Sequence, residues 1–171
     1  MKWYIVLPAA LVSVVALIAL VGALLPRRHQ ATRAADFAGS PASLYAVIRD
    51  FAAQPTWRPS LKRVELLPAR EGRVCYREES RHGAITYVVL VDRPGEKLVV
   101  KIADENLPFG GTWTFLFVPA ADGARLEITE DGEVKNVIFR FLARFVFGHA
   151  KTIDGFLADL GRKVGGPSSA M

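Results

Sequence analysis

His149 and Glu130 stand where their residue types could do acid–base chemistry. His149 falls on a helical stripe with Ile138, Leu142, Phe145, Ile153, Phe156 and Leu160, so a helix that buries this stripe turns the imidazole inwards. An inward imidazole titrates near neutrality and can serve as acid, base or hydrogen-bond donor. The plainer alternative is a structural histidine bonded to a partner inside the core. Glu130 alternates with Leu126 and Ile128 along "ARLEITEDGEV". If that side faces the interior, its carboxyl needs a partner such as an arginine. Glu78, Glu79 and Glu127 also lie on strand-like segments, and for all four glutamates solvent exposure is the ordinary reading. Catalysis needs two such groups within hydrogen-bonding reach. The sequence carries no nucleophile elbow, phosphate loop or metal-binding histidine pair, so neither a metal nor a cofactor is expected.

A second set of residues could hold an apolar ligand: Trp57, Tyr76, Tyr87, Phe109, Trp113, Phe145 and His149. Core packing is the alternative for each, because one face of any sheet must be buried. Trp57 is unusual. Pro55 and Pro59 bracket it in "QPTWRPS", and each proline disfavours regular structure around it. A large ring on such a loop suits a cavity mouth, and Phe109 beside Gly110 and Gly111 suits the same place.

These residues must be positioned by some frame, and the chain of 171 residues is long enough for one domain plus an appendage. The formal net charge is +5, without a block of basic residues beyond Arg27-Arg28. The arginines within "FRFLARFVFGHAK" could stack nucleic-acid bases or snorkel at a lipid surface. No nucleic-acid-binding module is recognisable, so no nucleic-acid partner is expected. Cys75 is the only cysteine, which excludes an intrachain disulfide.

The appendage is the run "WYIVLPAALVSVVALIALVGALL" from Trp3 to Leu25, which holds no charged residue. As a helix it would measure about 35 Å, enough for a bilayer core of about 30 Å. Trp3 and Tyr4 suit the headgroup level at one end, and Pro26 with Arg27 and Arg28 marks the other. Residues 1–26 are therefore read as a single-pass membrane anchor. A cleaved signal peptide is the competing reading, with Val21-Gly22-Ala23 as its cleavage site, but the apolar run exceeds the usual signal-peptide core. Arg27, Arg28 and Arg33 outweigh Lys2, which predicts a cytoplasmic domain.

Residues 27–165 read as one α+β domain, and residues 166–171 as a disordered tail. "HQATRAADF" suits a first strand. Ser40-Pro41 opens a helix whose apolar face is Leu44, Val47, Ile48 and Phe51. Alternating segments from Leu61 to Val134, broken by His82-Gly83, Pro94-Gly95 and Ala121-Asp122-Gly123, indicate an antiparallel meander. A helical period then runs from Asn136 to Val164.

This order resembles the START-like or SRPBCC superfamily, and within it the polyketide cyclase/dehydrase branch. The resemblance rests on "SPASLYAVIRDFAAQPTWRPSLKRVELL", "LPFGGTWTFLFVPAADGARLEITEDGEV" and "NVIFRFLARFVFGHAKTIDGFLADL". It implies a helix-grip fold, in which a curved antiparallel sheet wraps a long C-terminal helix around a deep cavity. It also implies a hydrophobic ligand, such as a lipid, sterol, polyketide, plant hormone or quinone. The added N-terminal helix is outside the usual family pattern. The expected function is a membrane-anchored binder of a hydrophobic small molecule or lipid rather than an enzyme. A cyclase/aromatase using His149 or a cavity glutamate, or a module that regulates a membrane protein partner, remains open.

Overall fold

The turn residues between Leu61 and Val134 divide that stretch into strands that fold back on one another. The computed structural model describes residues 3–147 and 150–165. In chain order it contains α1 (Trp3–Leu24), β1 (Arg28–Phe37), α2 (Pro41–Arg49), a 3-10 turn (Gln54–Thr56), β2 (Leu61–Arg70), β3 (Arg73–Ser80), β4 (Gly83–Arg93), β5 (Lys97–Ile102), β6 (Phe109–Ala120), β7 (Gly123–Val134), α3 (Val137–Leu142), a π-helical turn (Ala143–Phe147) and α4 (Lys151–Val164).

The strands form one curved antiparallel sheet in the order β1-β7-β6-β5-β4-β3-β2. β1 thus pairs with the last strand, and the meander runs outwards from there to β2. Gly123 makes the β6–β7 turn with φ +153°, and a Cβ there would fall 2.1 Å from the Phe37 carbonyl oxygen. The turn therefore demands glycine twice over, by backbone angle and by space.

Period-two alternation delivers one face of the sheet to the core. Leu98 and Val100 on β5, Phe115 and Phe117 on β6, and Leu126 and Ile128 on β7 are buried. α4 lies against this face through Ile153, Phe156, Leu157 and Leu160, all buried, and ends at Gly165 in the left-handed conformation. α2 covers another part. The Ser40 hydroxyl caps it by accepting from the Ser43 N–H, Pro41 begins it, and Leu44 and Ile48 are its buried contacts. The result is an α+β helix-grip fold.

The sequence predicts one continuous helical stripe from Asn136 onwards, and the structure divides it. Asn136 caps α3 by accepting from the Ile138 and Phe139 N–H groups, as its position predicts. The π turn then re-phases the chain before α4 begins at Lys151. Ile153, Phe156 and Leu160 are buried, whereas Ile138 and Phe145 are exposed. The physical reason is that α3 packs mainly on α1 and only lightly on the sheet, at β7. A period of 3.6 reports an apolar stripe and not what covers it.

α1 is exposed along most of its length and is long and apolar enough to cross a membrane. Its last turns meet α3. A Cβ at Gly22 would fall 1.9 Å from the Val137 carbonyl oxygen, so the two backbones touch there. The Arg140 guanidinium, buried, donates to the Leu25 carbonyl oxygen at 3.1 Å and to the Lys135 carbonyl oxygen at 3.3 Å. It thereby satisfies a carbonyl at the end of α1 and neutralises the negative pole of that helix.

Candidate ligand cavity

Between the sheet, α2, α3 and α4 lies a cavity of about 390 Å³. Its walls are mostly apolar. From the sheet come Ile85, Leu98, Val100, Ile102, Phe109 and Phe115, and from the helices Ile48, Phe139, Ala143 and Phe156. This size and lining suit a small apolar molecule.

An aromatic ladder forms one side. Tyr76 and Tyr87 sit directly opposite each other on β3 and β4 and stack with centroids 5.1 Å apart. Phe51, just beyond α2, stacks on Tyr76 at 3.9 Å. Burial first, and then the nearby Glu78 carboxylate, push both phenols far above the ordinary tyrosine range, so both stay neutral.

Two polar groupings interrupt the apolar wall. At the β3 side, Arg58 pairs with Glu78 through Nη1–Oε1 at 2.7 Å, with a longer second contact of 3.5 Å. The same guanidinium donates to the Gln54 Oε1, while the Gln54 Nε2 donates to the Ile48 carbonyl oxygen at 2.9 Å. The guanidinium also lies 5.1 Å above the centre of the Phe156 ring. Gln54 and Glu78 are buried, and this network supplies the partners that such burial requires.

At the β7 side, Glu130 faces the cavity as the alternation predicts, on the same side as Leu126 and Ile128. The partner expected for it, an arginine, is not what it meets. Trp113, its direct register partner on β6, donates to the carboxyl, and the His29 Nε2 lies 3.6 Å from Oε1. Oε2 is buried and has no hydrogen-bond partner among the described residues. Burial raises the pKa from 4.5 to about 7, against a lowering by the Trp113 bond. His29 reaches this point because β7 carries Gly132 opposite it. A Cβ at Gly132 would fall 2.2 Å from the imidazole Cε1.

The structure brings together Tyr76, Tyr87, Phe109, Trp113 and Glu130 of the residues singled out from the sequence. It places two others elsewhere. Trp57 is only 7% exposed and belongs to the core, edge-on to Phe156 at 5.5 Å, so it is no cavity mouth. Its two prolines stiffen the loop, but the side chain of that loop that lines the cavity is its neighbour Arg58. Phe145 is 61% exposed, because the π turn carries it away from the sheet. His149 lies outside the described residues. Gln54, Arg58 and His29 were not singled out. Among these, Arg58 had a readable signal, since a buried Glu78 demands a cation.

The sequence matches the family described as "Polyketide cyclase / dehydrase and lipid transport" over residues 28–165. The chain belongs to this family, and its fold is of the START-like, helix-grip kind. No curated protein matches it. Among solved structures, it is similar to the di-domain aromatase/cyclase StfQ of the steffimycin biosynthetic pathway, with TM-score 0.65 and 17% identity over 81% of this chain and 51% of that one. It therefore spans about half of that protein. It is also similar to a START superfamily protein from Mycobacterium smegmatis, with TM-score 0.60 and 19% identity over 80% and 97% of the two chains. A third similar structure is the Zhui aromatase/cyclase from a Streptomyces species, with TM-score 0.63 and 13% identity over 81% and 92%. At these identities the likeness concerns the fold.

Proposed function

We propose that the protein is a membrane-anchored binder of a hydrophobic small molecule or lipid, held in the cavity between the sheet and the C-terminal helix. The observation that carries this reading is the cavity itself: about 390 Å³, lined mainly by aromatic and aliphatic side chains, with polar groups at only a few points. Tyr76, Tyr87, Phe109 and Trp113 supply the contact surface, and Glu130 supplies a hydrogen-bonding point. Membership of a family described by both cyclase and lipid-transport activities agrees with this. α1 serves as the anchor. The contact of Gly22 with Val137 supports its retention, since it would be lost if a leader were cleaved after Ala23. The arginines that follow α1 favour a cytoplasmic domain. Anchoring raises the local concentration of a membrane-stored ligand without any gain in intrinsic affinity.

Native mass spectrometry of the full chain released from detergent tests the proposal. A co-purifying apolar mass that is lost on denaturation is expected. Repeated recovery of ligand-free protein, with no uptake from added lipid extract, would overturn it.

One observation favours a cyclase-type enzyme as the second reading. Glu130 has a buried, unpartnered oxygen and a pKa near 7, so near neutrality it can give or take a proton inside the cavity. Turnover of a polyketide-like substrate that disappears in Glu130→Gln, with ligand binding retained, would select this reading over simple binding.

A further inference from the structure

The exposed apolar residues on the chain between β7 and α4 are unusual for a soluble surface. Ile138 is 40% exposed, Phe139 46% and Phe145 61%. Phe139 is also part of the cavity lining, so it stands where cavity meets surface. These residues sit on the segment that packs against the end of α1.

That contact fixes their depth. Gly22 touches the Val137 backbone two residues before the end of α1, which is about 3 Å along the helix axis. If α1 crosses the bilayer, its last turn leaves the hydrocarbon core at this level, and α3 is held beside it there. The buried Arg140 makes the attachment firm rather than loose, because it bonds to the carbonyl of Leu25. Arg27, Arg28, Lys135 and Arg144 are exposed in this neighbourhood of the sequence, which suits a headgroup layer containing anionic lipid.

We propose that α3 and the π turn form a second membrane contact. Phe139 and Phe145 enter the bilayer interface beside α1, and the cavity opens towards the lipid between Phe139 and Ala143. The occupant of this apolar face is the bilayer that holds α1. Ligand then passes from bilayer to cavity without crossing bulk water. This rests on the membrane-anchor reading of α1 and adds to it the place and direction of the cavity mouth.

The test uses the full chain in vesicles of phosphatidylcholine and phosphatidylglycerol. A fluorophore is attached at Phe145→Cys or at the control Val118→Cys, while native Cys75 is fully buried and shielded. Val118 is half-exposed and lies nine residues along β6 from Phe109, about 30 Å away. Lipids carrying a nitroxide on the upper acyl chain should quench the Phe145→Cys label strongly and the Val118→Cys label little. In parallel, a diazirine-bearing fatty acid in the bilayer should crosslink to peptides containing Phe139 and Phe109. Crosslinking at Phe109 should fall several-fold in Phe139→Asp, with the circular dichroism spectrum unchanged.

Resistance to alkaline carbonate extraction separates the two readings. Protein that resists extraction but shows no quenching at Phe145→Cys retains its anchor and overturns the second contact. Equal quenching of both labels overturns it too. Protein released by carbonate overturns the anchor, and this inference with it.

Discussion

The two polar groupings of the cavity use the same kinds of residue to different ends. Glu78 is closed: Arg58 neutralises it, Gln54 holds Arg58, and the Ile48 carbonyl oxygen holds Gln54. Glu130 is open: Trp113 and His29 approach it, but one oxygen has no partner among the described residues. A closed network strengthens a wall, because each buried polar group already has what it needs. An open one retains a demand that a ligand group can meet. The difference teaches that what a buried glutamate is able to do depends on which partners are withheld from it.

The contrast can be broken first at the closed end. Trp57→Ala should cost about 3–5 kcal/mol, because it removes the ring that Phe156 leans on. Urea denaturation would show this, and an unchanged midpoint would place Trp57 outside the core. Arg58→Met comes next. It leaves Glu78 buried without its cation and should cost about 3 kcal/mol. The double variant Arg58→Met, Glu78→Leu should recover most of that loss. If it does not, Arg58 acts through packing on Phe156 rather than through charge.

The open end should respond less in stability and more in pH dependence. Gly132→Ala pushes the His29 ring from its place and should cost about 1–3 kcal/mol. It should also alter the titration of Glu130, which carboxyl infrared bands would report.

Glu130→Gln should change stability least at acid pH, where the carboxyl is protonated in both the folded and the unfolded chain. Its signature is the slope. With a folded pKa of about 7 against an ordinary 4.5, the native state holds the proton longer than the unfolded chain does. This contribution to stability is therefore full below about 4.5, declines as pH rises, and is gone above about 7. Unfolding midpoints measured from pH 4 to 8 should show this decline in the native sequence and a shallower one in Glu130→Gln (roughly the range between the two values). Parallel profiles would mean that Glu130 titrates normally and that the open end is solvated.

Much of this frame was legible beforehand. Ser40-Pro41 predicted the start of α2, Asn136 the start of α3, and strand alternation put Trp113, Phe115 and Phe117 on one face and Glu130 on the side of Leu126 and Ile128. The loop around Trp57 was read less well. Its prolines announced rigidity, but which of two adjacent side chains faces the cavity depends on how the loop meets β3 and α4. Phe145 was misplaced for a related reason: the stripe was continuous, but the chain re-phases at the π turn and α3 packs on α1.

By itself, the sequence determined the strands, their order and the long apolar helix at the start. These follow from local forces, namely capping, turn geometry and hydrophobic period, which act over a few residues. Only the tertiary structure decided that Arg58 belongs to Glu78, that Gly132 makes room for His29 beside Glu130, and that Gly22 admits the backbone of α3. Each joins residues distant along the chain, and close packing leaves room for one such arrangement without leaving a mark in the local pattern.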